Sequence, residues 1–189
     1  YPDIHENPAA LRWTRPDNPY APPADPRYPC VLTTFRLTEH HTAGGMSRTL
    51  PWLAELQPEM FAEIDPVLAA ARGIEDGGWL TVVTERAEIE ARAVVTPRMK
   101  PLRIDGRTVH QVAMPFHWSW AGTVTGDAAN DLIALSGDPN VVIQESKAFV
   151  CDVRAGRSSQ GTRRLSGVRE PVHPVRPDDD HPAEERPQA

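Results

Sequence analysis

The sequence predicts a mainly β domain, closed into a barrel, with short helices confined to its early part. Three observations carry this. Short runs rich in β-branched and apolar residues alternate at period two. Helical spacing shows only between residues 46 and 73. The remaining five or six strands follow one another without the intervening helices of a parallel α/β sheet. Closure would also remove the exposed edges of so short-stranded a sheet.

Proline marks the borders. Residues 1–29 hold eight of the 20 prolines and residues 157–189 hold five, against seven across 30–156. Residues 1–28 read as an extended, Pro-rich strap lying on a surface, with Trp13 and Tyr20 to pin it. Residues 29–156 read as the domain. Residues 157–189, ending RPDDDHPAEERPQA, have almost nothing to bury and read as a disordered, charged tail.

Within the domain, VLTTFR at 31–36 is a strand by its alternation. Met46, Leu50, Leu53 and Leu56 predict a helix over Met46–Gln57, with Pro51 in its first turn. Met60–Ile64 is a short strand. Asp65 and Pro66 are the N-cap and first residue of a second helix, which Gly73 ends; Val67, Leu68, Ala70 and Ala71 form its packing face. Strands follow at Trp79–Glu85 and Glu88–Thr96, the second with Ile89, Ala91, Ala93 and Val95 on one side. Asp105-Gly106 is a hairpin turn between Leu102–Ile104 and a strand Thr108–Met114. The last strand is Ala148–Val153, which holds Cys151; Cys30 opens the first, and both thiols are expected reduced and half-buried.

The formal net charge of −6 argues against nucleic-acid binding, and nothing approaches the ~20 apolar residues of a membrane span. No signal-peptide pattern appears. The chain opens on Tyr1 rather than Met, which predicts an excised or processed piece.

Three polar clusters interrupt the strands. Arg36, Thr38, Glu39, His40, His41 and Thr42 crowd together before Gly44-Gly45. This suits a cradle for a phosphorylated heteroaromatic cofactor, with Arg36 and Arg48 as donors, the glycines admitting phosphate, and Ser47 capping a helix. It also suits a metal site at Glu39, His40 and His41, or a solvated loop, and the residues alone leave these open. Phe116-His117-Trp118-Ser119-Trp120 offers an apolar wall for a stacked heterocycle, or barrel-end packing. The passage 127–147 holds Asn130, able to pair with a ring edge, and Lys147 just before the last strand.

In order and spacing, TTFRLTEHH, LPWLAELQPEMFAEI, VTERAEIEARAVVTPRMKPLRIDG, PFHWSWAG, AAND and ESKAF resemble the C-terminal molybdopterin-dinucleotide-binding domain of the large formate dehydrogenase subunit, over residues 29–153. The nearest branch is the respiratory, multi-subunit type, which would put the protein on the periplasmic side; otherwise the cytoplasm is expected. The resemblance implies a six-stranded double-psi β-barrel that caps a bis(molybdopterin guanine dinucleotide) carrying molybdenum or tungsten. It implies that catalytic residues, metal ligands and iron–sulfur ligands lie in preceding domains of the same subunit, with an iron–sulfur subunit as electron partner. It carries cofactor contacts onto Arg36, Leu37, Thr38, Glu39, His40, His117, Trp118, Asn130 and Lys147, and no catalytic residue. An open face bearing Arg36, His40, His117 and Asn130 is expected. The alternatives are the equivalent domain of a nitrate, arsenite or thiosulfate reductase, or a barrel used only for interaction.

Overall fold

The computed structural model describes residues 13–15, 20–22, 24–119, 123, 126–144, 146–147, 149–158 and 163–164. Eleven strands and two α-helices run in chain order as β1 (Trp13–Thr14), β2 (Cys30–Phe35), α1 (Pro51–Leu56), β3 (Phe61–Ile64), α2 (Pro66–Arg72), β4 (Trp79–Val83), β5 (Ala87–Val95), β6 (Leu102–Ile104), β7 (Arg107–Val109), β8 (Gln111–Pro115), β9 (Ser136–Gly137), β10 (Phe149–Ala155) and β11 (Arg163–Arg164).

Six of these strands close on themselves in the order β5-β3-β8-β2-β10-β4, with β4 returning to β5. Two pairs, β2 with β8 and β3 with β5, are parallel; the other four are antiparallel. This is the expected six-stranded barrel. Leu32, Ile64, Leu80, Val82, Ile89, Val112, Met114 and Val153 fill it. Strand β2 turns Cys30, Leu32 and Thr34 inward, which is period-two alternation meeting a closed core.

The first half of β5 pairs with β4 on one side and runs past the end of β3 on the other. Arg163 and Arg164 pair there with Glu88 and Ala87, and the Asp127 carboxylate takes the Glu90 N–H at 2.8 Å. Trp13 and Thr14 pair with Gly137 and Ser136. Most of the expected strap and tail, including 165–189, lies outside the described residues.

Four local expectations need correction. The helix over 46–57 is two pieces, a 3-10 turn at Ser47–Thr49 and then α1, because Leu50 precedes a proline and adopts an extended backbone. Helix α2 buries Leu68 and Ala69, while Val67, Ala70 and Ala71 face outward; the Asp65 cap, which takes the N–H groups of Val67 and Leu68, sets that rotation. The strand predicted over 108–114 breaks at His110, whose Nδ1 is drawn 2.6 Å from the Asp65 carboxylate. Cys30 and Cys151 are free and register partners across β2 and β10, but fully buried; burial pushes the Cys30 thiol up to about 12.

Candidate functional site

The end of β2 delivers Arg36 through His40 to the barrel rim, where they meet the turn after β8 and the approach to β10. The Leu37 N–H donates to Nε2 of His117 at 2.6 Å. Thr34 Oγ1 donates to the Ser146 carbonyl at 3.0 Å, and the Lys147 ammonium donates to the Thr34 carbonyl. Three separated segments, 34–40, 117–118 and 146–147, are thereby tied together.

Arg36 is exposed, its guanidinium 4.7 Å from the Phe116 ring centroid. Lys147 stands close enough for burial, then Arg36, to lower its pKa. Among the described residues neither cation is paired with a carboxylate. Thr38 is exposed and Glu39 half-buried. Segment 36–42 borders an open hollow of about 700 Å³ that Met46, Leu50 and Leu53 also line. Leu37, Thr38 and Glu39 also border a second of about 500 Å³, shared with Phe35, Phe61 and the Glu63–Arg98 ion pair.

His40 and His117 do not face solvent. His40 is 4 % exposed, His117 0 % and Trp118 3 %, so the expected open face is corrected here, and of the two readings of the His117–Trp118 cluster the structure shows barrel-end packing: both histidines and Trp118 belong to the interior. Their rings cluster at 5.4–6.2 Å. Trp120 lies outside the described residues. Burial, then His40 and Arg36, lower the His117 pKa to about 4, so the ring is neutral at pH 7. With Nε2 accepting from Leu37, the proton sits on Nδ1. That atom and Trp118 Nε1 are buried donors with no partner among the described residues.

The loop 41–48 behaves differently from its phosphate-cradle reading. Gly44 has φ +79°, and a Cβ there would stand 2.3 Å from the His117 carbonyl oxygen. Arg48 donates to that same oxygen at 2.5 Å and to the Ala43 carbonyl. Ser47 caps no helix; its Oγ accepts the His41 N–H and lies 3.1 Å from His40 Nδ1. Glycine, Arg48 and Ser47 therefore clasp the His40–His117 pair from behind. His41 is exposed, and no group of three or more metal-ligating side chains gathers among the described residues.

Asn130 is exposed on a 3-10 turn, Ala129–Leu132. It borders a separate hollow of about 390 Å³ with Arg86, Ile133, Gln144 and Ser146. Ser146 connects it, through Thr34, to the Arg36 rim. Sequence reasoning missed Thr34 and Arg98. A threonine on the inward face of an apolar strand was the available signal for the first.

Residues 30–150 match the model of the molydopterin dinucleotide binding domain. The chain belongs to that family. It is 42% identical over 148 residues to the formate dehydrogenase subunit alpha of Megalodesulfovibrio gigas, covering 78% of this chain and 14% of that one. It is 45% identical over 131 residues to the formate dehydrogenase 2 subunit alpha (cytochrome c-553) of Nitratidesulfovibrio vulgaris, 69% of this chain and 13% of that one. Against the assimilatory nitrate reductase catalytic subunit of Bacillus subtilis, identity is 31% over 152 residues, 79% and 19%. The chain thus spans about a seventh of the formate dehydrogenase subunits it matches.

Proposed function

We propose that this chain is the cofactor-binding cap of a formate dehydrogenase large subunit, and that Arg36 and Lys147 hold the anionic part of a bis(molybdopterin guanine dinucleotide). One observation carries the reading: hydrogen bonds through Thr34 tie the segments that bear Arg36 and Lys147 to one barrel rim, and neither cation is ion-paired with a carboxylate among the described residues. Like charges held together in this way favour an anion between them. Arg36 fits a phosphate-bearing group, with Thr38 a further donor beside it and the 700 Å³ hollow that both border as room; Lys147 approaches from the Thr34 side of the same rim.

When bound, that cofactor supplies the molybdenum or tungsten centre at which formate is oxidised to carbon dioxide. This chain's own residues bind it, orient it and exclude water. The metal ligands, the acid–base groups and the iron–sulfur cluster belong to preceding domains of the subunit, with an iron–sulfur subunit as electron acceptor. Met46, Trp52 and Leu56, each about two-thirds exposed around α1, form an apolar surface suited to packing against those domains. The higher identity to formate dehydrogenases than to the nitrate reductase favours formate over nitrate.

The test is Arg36→Ala and Lys147→Met in the full-length subunit, with Arg103→Ala on the distant hairpin as control. Loss of one charge-assisted contact weakens cofactor retention roughly tenfold. Released pterin per subunit and formate oxidation are expected to fall together in both variants and to hold in the control. Unchanged pterin content in both variants refutes the assignment.

A further inference from the structure

We infer that His117 is the positioning residue of this rim, acting through its Nε2 on the Leu37 peptide rather than by touching the cofactor. The inference rests on the reading of Arg36 and Lys147 just given. His117 reaches both limbs of the segment that borders the larger hollow. Its Nε2 accepts the Leu37 N–H at 2.6 Å, which sets the Arg36–Leu37 peptide. Its carbonyl accepts Arg48 at 2.5 Å, and Gly44 is packed against that carbonyl. Its ring lies 5.6 Å from that of His40, which Ser47 holds in turn. The residue is wholly buried and does not border the hollow that Arg36, Thr38 and Glu39 line.

A buried acceptor is the direct way to hold that peptide. Without it the Leu37 N–H loses its partner, and Arg36 loses the fixed backbone that aims it. The Nδ1–H, without a partner among the described residues, offers a competing role, a direct bond from His117 to a ligand acceptor. Two amide substitutions separate the roles. In His117→Gln the side-chain oxygen reaches the Nε2 position and still accepts from Leu37, but the Nδ1 donor is gone. In His117→Asn the amide nitrogen occupies the Nδ1 position and keeps that donor, but nothing reaches Leu37.

Both are made in the full-length subunit, and pterin retention is measured with amide exchange of a peptide covering Leu37. Positioning predicts that the Gln variant holds cofactor within about twofold of the parent. It predicts that the Asn variant loses cofactor roughly tenfold faster, with exchange at Leu37 accelerated to match. Retention by the Asn variant, or the same retention in both, overturns the inference. Should the Arg36 and Lys147 variants hold cofactor like the parent, the anion-site reading fails first. If they lose it while the Asn variant does not, only the role of His117 falls.

Discussion

At the scale of single residues, the two adjacent glycines of the 41–48 loop separate by environment. Gly44 sits at φ +79° with the His117 carbonyl 2.3 Å from where a Cβ would be, while a Cβ on Gly45 meets nothing within 4 Å. Gly44→Ala is expected to destabilise the chain by at least about 1–2 kcal/mol, from left-handed strain alone before the clash is added. Gly45→Ala is expected to stay within roughly 0.5 kcal/mol. Urea unfolding of the two variants measures the difference, and equal midpoints would show that Gly44 does not serve close approach. The residue type was legible in the sequence, but its use was not. A glycine before a basic helix start reads as phosphate-binding until the chain 73 residues further on is found against it. His117 and Trp118 stayed open between two readings for the same reason: an aromatic wall and an aromatic core have one composition, and only barrel closure decides between them.

At the scale of elements, helix α2 shows how a seven-residue helix is held. Pro66 begins it, Gly73 ends it in the left-handed region, and Asp65 both caps it and meets His110 across the barrel end. Burial pushes the Asp65 carboxyl up, but His110 and the N–H groups of Leu68 and Val67 outweigh it and hold the carboxyl below 3.8. The stabilisation is therefore present above pH 3.8 and is lost as pH falls through the lower folded value. Asp65→Ala should cost about 1–2 kcal/mol at pH 7, and Asp65→Asn, which keeps the accepting oxygen, clearly less. A loss from Asn as large as from Ala would mean that the charge toward His110, not the cap, sets the helix. Strands β2, β4 and β5 and the Asp105-Gly106 turn were legible because alternation and turn chemistry are local. The break at His110 was not, since its cause is a carboxylate 45 residues away in sequence.

At the scale of the whole molecule, the barrel order was beyond what periodicity conveys; closure followed from short strands without helices between them, but the two parallel pairs were not legible in it. The arrangement matters because parallel β2 and β8 end together, which puts Arg36 beside the turn carrying His117, while antiparallel β10 enters from the same end with Lys147. Asn130 shows the limit of the same reasoning, for its turn opens onto a different hollow. The central claim is that the dinucleotide lies on the rim formed by 36–40 and 146–147. Amide exchange of the full-length subunit, with cofactor loaded and removed, tests it most directly. The account predicts that loading slows exchange most in peptides covering 36–40 and 146–147; equal exchange there, with protection falling on the 102–109 hairpin or another part of the barrel, would contradict it.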